Sequence, residues 1–143
     1  MIFDYSEKYG VSLLAGVRDR ARVRDLMGGD FRVLPKTEFS ENTIDVFGGI
    51  IARAWYDASD ILIGIEFYAL GSEFYFSGGQ VLGKDFQYIE KLLSTLGVAF
   101  DVEEDGTGIS INAGRLRFYI PDMLESGALA EIKSVYVDLE KCK

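Results

Sequence analysis

Carboxylates are the residues of this chain that could do chemistry. The chain has 23 Asp and Glu residues against 15 Lys and Arg, and it has no histidine. Histidine is the commonest general base and metal ligand, so its absence excludes Ser/His/Asp and Cys/His nucleophile systems and His-based zinc sites. Carboxylate, Lys or Tyr chemistry stays open. We expect a protein that is not an enzyme and that uses no cofactor or metal.

The negative charge is concentrated after residue 37. Residues 1–37 carry a net charge of +2, whereas residues 38–143 carry −10. An acidic domain repels nucleic acid and anionic membranes and attracts basic partners, although plain solubility also accounts for such a charge. We expect neither nucleic acid nor a membrane as a partner. The carboxylates predicted to contact a basic partner are Glu38, Glu41, Asp45, Asp57, Asp60, Glu103, Glu104 and Asp105.

Three further residues stand out near a predicted turn at residues 57–60. Trp55 and Tyr56 are interpreted either as core residues or as aromatic anchors for a partner. Glu66 interrupts an otherwise apolar strand. It is predicted to face the surface, to lie at an edge, or to pair with Arg53 across a hairpin, and it is also the first candidate for a carboxylate site in a pocket.

The segment 101–112 has the spacing of a calcium loop in its first half only. Asp101, Glu103 and Asp105 alternate and Gly106 follows, but the twelfth position is Asn112 rather than a bidentate Glu. Its flanks have the alternation of strands, so a hairpin turn is predicted instead. The glycine pairs at 28, 48 and 78 lack the Gly-Lys-Ser/Thr of a phosphate-binding loop.

The elements that must position these residues follow from hydrophobic periodicity. Residues 50–67 form two apolar runs around a polar turn, which predicts a hairpin whose second strand is buried on both faces at the sheet centre. Apolar residues spaced three and four apart predict helices at 17–27 and 84–96, with Asp85 and Gly97 as the caps of the second. Further strands are predicted at 2–5, 11–14, 31–34, 43–47, 74–76, 98–103, 109–111, 115–120 and 132–139, and a loop or helical turn at 122–130.

The first helix carries Arg18, Arg20, Arg22 and Arg24. Arginines two residues apart point in roughly opposite directions on a helix, so they surround it rather than form a phosphate-binding stripe. A solvated, partly ion-paired helix is therefore predicted.

The two halves of the chain repeat one order of elements, a helix followed by strands, in residues 10–70 and 77–140. We expect a single α+β domain over residues 1–143, in which both units join one mainly antiparallel sheet covered on one face by two helices. The other face would then be free to bind a ligand or partner.

Composition also predicts the location. No run of eighteen apolar residues and no signal peptide is found, and the single cysteine is Cys142, which is interpreted as an inert tail residue. These features predict a cytoplasmic protein.

Two similar segments end predicted hairpins, namely Ile65-Glu66-Phe67 and Val135-Tyr136-Val137-Asp138-Leu139. In these segments, and in its size, acidity and expected architecture, the chain resembles the immunity proteins of bacterial toxin systems, including those of contact-dependent growth inhibition. The resemblance implies a monomer or weak dimer that binds and neutralises a cognate toxin domain, often a basic nuclease. The alternatives left open are a domain that binds a small molecule or does carboxylate chemistry in the concave side of its sheet, and a structural or assembly module.

Overall fold

A computed structural model describes residues 1–141 as an α+β fold built around an eight-stranded antiparallel sheet. The strand order in this sheet is β3-β4-β5-β6-β12-β11-β10-β9, and the predicted mainly antiparallel α+β class is confirmed. The strands are β3 (Phe31–Leu34), β4 (Ile44–Phe47), β5 (Ala52–Tyr56), β6 (Leu62–Tyr68), β9 (Asp101–Val102), β10 (Gly108–Ile111), β11 (Leu116–Tyr119) and β12 (Ser134–Asp138). Cys142 lies outside the described residues.

A second, four-stranded sheet shares no strand pairing with the large one and was not predicted. It has the order β2-β1-β7-β8, and β1 and β7 run parallel. Its strands are β1 (Ile2–Ser6), β2 (Gly10–Val11), β7 (Glu73–Phe76) and β8 (Gly79–Gln80). The small sheet is joined to the core through aromatic contacts, since the Phe67 ring lies 4.2 Å from Phe3 and 5.4 Å from Phe74.

The helices are α1 (Arg20–Leu26), α2 (Phe86–Leu96) and α3 (Met123–Ser126). The Asp85 carboxylate accepts a hydrogen bond from the Tyr88 amide and Gly97 adopts a left-handed conformation, so the predicted caps of α2 are confirmed. The first helix begins later than predicted because Asp19 is its N-cap and Arg18 precedes it. The predicted strand at 11–14 is wrong beyond Val11, because Ser12–Leu14 forms a 3-10 turn.

Strand order places the last strand of each run at the centre of the large sheet. Hairpin β1–β2, helix α1 and strands β3 to β6 are followed by hairpin β7–β8, helix α2 and strands β9 to β12. Strands β6 and β12 then pair antiparallel, with Ile65 opposite Val137 and Phe67 opposite Val135. This order is the one that a tandem pair would give, and the duplication itself stays a prediction.

One face of the large sheet supplies most of the core. Ala54, Ile65, Val137 and Leu116 follow one another across the strands, are fully buried, and share a cluster with residues of both α1 and α2. Strand β6 is central as predicted, but the prediction that both its faces are buried is wrong. Its second face is only partly covered, since Glu66 and Tyr68 are half-buried there.

Candidate functional site

The uncovered face of the large sheet, called here the open face, carries polar and aromatic side chains. Arg53, Glu66, Tyr136 and Arg117 are register partners in one row across β5, β6, β12 and β11. Tyr68, Ser134 and Tyr119 form the next row. Because side chains alternate between the two faces of a strand, none of these residues points into the main core.

A groove of about 700 Å³ lies on the open face. Its described lining consists of residues from β5, β6, β11, β12 and the turn that joins β9 to β10, namely Trp55, Glu66, Glu103, Glu104, Asp105, Thr107, Arg117, Phe118, Tyr119, Ser134 and Tyr136. We call this the open-face groove. Its volume is that of a typical ligand pocket, and it is open to solvent.

Two small residues shape the groove. Gly64 lies on β6 between Trp55 on β5 and Asp138 on β12. A Cβ atom at Gly64 would stand 1.9 Å from the Tyr136 hydroxyl, so the Tyr136 ring lies over the glycine and meets Trp55 edge-on at a centroid distance of 5.8 Å. Ser134, two residues before Tyr136 on the same strand, has a short side chain, so the surface of the groove is lower there than at Tyr136.

Glu66 is held in a fixed orientation at the floor of the groove. The Tyr68 hydroxyl donates to Glu66 Oε1 and the Ser134 hydroxyl donates to Glu66 Oε2, each at 2.6 Å. Burial and the hydrogen bond to Glu66 raise the pKa of Tyr68, so its hydroxyl stays a donor at neutral pH. Arg53 lies opposite Glu66 in the register as predicted, but its guanidinium lies 5.8 Å from the Tyr68 ring.

The acidic rim of the groove is a shaped turn rather than a loose loop. Asp105 Oδ1 accepts from the Thr107 amide at 3.0 Å and the Thr107 hydroxyl at 2.6 Å, and these bonds lower the pKa of Asp105. Gly106 has φ of 70°, and a Cβ there would collide with Leu124 of α3. The turn joins paired strands β9 and β10, which confirms the predicted hairpin.

The groove is strongly negative. Four of its described lining residues are carboxylates, and one, Arg117, is basic. The charge of Arg117 is partly offset by Asp138, because its guanidinium lies 4.0 Å from Asp138 Oδ2. The same guanidinium lies 5.9 Å from the centroid of the Tyr136 ring. Burial raises the pKa of Tyr136 to about 12, so the Tyr136 hydroxyl is uncharged at neutral pH.

A smaller hollow of about 400 Å³ adjoins the groove across the Trp55–Tyr136 pair. Phe39, Ser40 and Glu41 line its outer side. Phe39 is 90% exposed. Glu38 is exposed in the same loop.

The structure brings together four of the residues predicted to contact a partner. Trp55, Glu103, Glu104 and Asp105 line the open-face groove, and Glu41 lines the adjoining hollow beside Trp55. Glu38 lies near Glu41 in the chain but does not line either hollow among the described residues.

Two of the predicted contact residues are buried, although Tyr56 also lines the smaller hollow. Asp45 is fully buried and accepts hydrogen bonds from Arg20 at 2.7 Å and Arg24 at 2.8 Å. Although burial opposes ionisation, these bonds lower the pKa of Asp45. Tyr56 is 1% exposed under the Arg20 guanidinium, which lies 4.4 Å from its ring. The same contacts correct the prediction of a solvated α1, since two of its arginines hold the helix to the sheet.

Asp57 and Asp60 shape the turn after β5 instead of facing the groove. Asp57 Oδ1 accepts from the amides of Ser59 and Ile61. Asp60 is more exposed, but it accepts from Arg20 at 3.0 Å and Asn42 at 2.8 Å. Asp57 therefore stabilises the turn itself, and Asp60 binds the turn to Arg20 and Asn42.

Several lining residues were missed by sequence reasoning, namely Tyr136, Ser134, Arg117, Tyr119 and Thr107. Strand alternation was the signal that could have found most of them. Once Val135 and Val137 are assigned inward, Tyr136 and Ser134 must face outward, and the same logic applies to Arg117 and Tyr119 beside Phe118.

No group of three Asp, Glu or Cys residues that could hold a metal ion occurs within residues 1–141. No helix in the described part of the chain is long and apolar enough to cross a membrane. Comparisons with protein-family models, curated proteins and solved structures gave no match.

Proposed function

We propose that this protein is a binding and inhibitory protein of the immunity type, which captures a basic toxin domain on its open face. The observation that carries the proposal is the open-face groove, in which four carboxylates and four aromatic residues line one accessible surface. Aromatic side chains anchor protein interfaces, and a negative surface speeds encounter with a positive partner and disfavours wrong ones.

The position of the groove supports the same proposal. It lies on the face that the helices leave free, and the exposed Phe39 stands beside it at the edge of the adjoining hollow. A continuous surface from Phe39 over Trp55 to the turn at 103–107 combines apolar anchors with charge. That combination is typical of an interface with another protein.

A second function is favoured by one specific observation. Glu66, Tyr136 and Arg117 lie in one register row along the groove, and its volume is within the range of small-molecule sites. A small ligand bound there would make the chain a ligand-binding domain or a carboxylate-based enzyme. The openness of the groove and the concentration of charge on its rim favour the protein partner.

The direct experiment is co-expression with the toxin domain encoded by a neighbouring gene, read by growth rescue and by pull-down. We expect the wild-type chain to restore growth and to co-purify with the toxin domain. Neither rescue nor co-purification would overturn the proposal.

Two charge-matched variants test where the partner binds. E103Q/E104Q/D105N removes three charges from the groove rim while keeping an oxygen at residue 105 for the Thr107 bonds. D25N/D30N/E90Q removes three exposed charges from α1, α2 and the loop before β3. We expect only the rim variant to weaken growth rescue. Removing charge from the surface where the partner docks slows association more than removing the same charge elsewhere.

A further inference from the structure

The floor of the open-face groove has the features of a receptor for one cationic side chain. We infer that Glu66 receives the guanidinium of an arginine from the partner, with Trp55, Tyr136 and Tyr119 as the surrounding aromatic walls. This inference rests on the proposed function and names the chemical group that the groove recognises.

The state of the Glu66 carboxylate supports this assignment. Each of its oxygens accepts one hydroxyl hydrogen bond, from Tyr68 and from Ser134, and a carboxylate has about four acceptor positions. Two positions therefore stay available, one on each oxygen, which is the pattern that a two-pronged guanidinium requires. Because the carboxylate is already oriented, binding does not have to immobilise it.

The walls favour guanidinium over ammonium. Trp55, Tyr136 and Tyr119 all line the groove, and a planar guanidinium both stacks on aromatic faces and donates in a fork. The protein's own arginines adopt such contacts on the same face, where Arg53 lies 5.8 Å from the Tyr68 ring and Arg117 lies 5.9 Å from the Tyr136 ring.

The charge balance of the groove leaves room for an additional cation. Its carboxylates outnumber its single described basic residue, Arg117, and that residue is directed towards Asp138 outside the lining. A guanidinium arriving from a partner would meet the rim carboxylates first and Glu66 at the floor. The rim would steer the side chain, and Glu66 would hold it.

Trp55 provides the measurement, because it is the only tryptophan of the chain and lies on the groove wall. The full-length protein is titrated with N-acetyl-arginine methylamide and its emission is followed. The same titration is made with the citrulline analogue, which has the same shape without the charge, and with the lysine analogue. We expect saturable binding of the arginine compound and about tenfold weaker binding of the citrulline compound.

E66Q and E90Q are the matched variants, since each removes one carboxylate and Glu90 lies exposed on α2. We expect E66Q to weaken arginine binding about tenfold and E90Q to leave it unchanged. Y68F gives a second test that keeps the charge, because it removes one of the two bonds that orient Glu66 and should weaken binding by a smaller factor. Equal binding of arginine and citrulline, tighter binding of lysine, or no effect of E66Q would overturn the inference.

The two proposals fail in different ways. If the toxin domain is captured but E66Q captures it as well as wild type, the guanidinium inference is wrong and the proposed function stands. If the arginine compound binds in an E66-dependent manner but the chain neither captures nor neutralises a toxin domain, the proposed function is wrong and the groove is a receptor for another cationic ligand.

Discussion

Gly64 leaves the space that the Tyr136 side chain occupies on the open face. The three atoms that would lie nearest to a Cβ atom added at Gly64 all belong to the Tyr136 side chain, at 1.9 to 2.9 Å. We expect G64A to destabilise the protein by about 1–3 kcal/mol, because the ring must leave its position. In a Y136A background the same change should cost nothing, or stabilise by up to about 1 kcal/mol, because alanine is favoured over glycine within a strand.

Urea denaturation of the four proteins in this cycle measures the coupling. A G64A cost that is the same in both backgrounds would contradict the contact between Gly64 and Tyr136.

Individual residues were the least predictable scale, because residue type does not define burial. Asp45 and Glu103 are both carboxylates in strand-rich segments, yet one is enclosed by two arginines and the other lies on the groove rim. Tyr56 and Trp55 are neighbours in β5, and strand alternation leaves Tyr56 buried with Ala52 and Ala54 while Trp55 lies in the groove wall. Residue type alone does not separate these cases.

At the scale of elements, α1 is attached to the sheet by a buried ion pair. Asp45 accepts from Arg20 and Arg24, and D45N would remove the charged partner of Arg24 and leave Arg20 with only the exposed Asp60. We expect D45N to lower the free energy of unfolding by about 3 kcal/mol at neutral pH. D60N is the matched control, and its loss should be much smaller because Asp60 is mostly exposed.

This ion pair also predicts a pH dependence with a definite sign. The pKa of Asp45 is lower in the folded protein than in the unfolded chain, so its contribution is present above the ordinary Asp pKa of about 3.9 and declines below it. We expect the gap in unfolding free energy between wild type and D45N to be constant from about pH 7 to 5 and to narrow below about pH 4. A gap that stays constant into that acidic range would contradict the assignment.

Elements with a strong local pattern were predicted well. The apolar spacing and caps of α2 fix its register, and the alternation in β10, β11 and β12 gives their positions within two residues. The arginine-rich α1 was misinterpreted because its buried side is charged, and periodicity of apolar residues does not reveal a partner such as Asp45. Likewise, no local signal shows that β1 pairs in parallel with β7, since that contact joins residues about seventy positions apart.

At the scale of the whole molecule, both runs of strands share one sheet and one core. Strands β6 and β12 are central and each is flanked by two strands, whereas β3 and β9 are edges. We expect hydrogen exchange to be slowest in β6 and β12 and fastest in β3 and β9, with a single cooperative unfolding transition. Separate transitions for residues 10–70 and 77–140 would contradict the single-domain prediction.

The open face is also a property of the whole molecule, because residues from both runs meet there. Trp55 and Glu66 come from the first run, and Ser134, Tyr136 and the turn at 103–107 come from the second. A sequence predicts that a sheet covered on one face leaves the other free, but it does not predict which side chains will be neighbours across β6 and β12. That central pairing assembles the groove.

One resonance tests the central claim most directly. Incorporation of 5-fluorotryptophan places a single ¹⁹F label in the chain, at Trp55 on the groove wall. On addition of the unlabelled toxin domain, we expect this resonance to shift and to become less accessible to a soluble paramagnetic agent, because the partner covers the groove. A stable complex in which the Trp55 resonance keeps its free position and its accessibility would contradict the account.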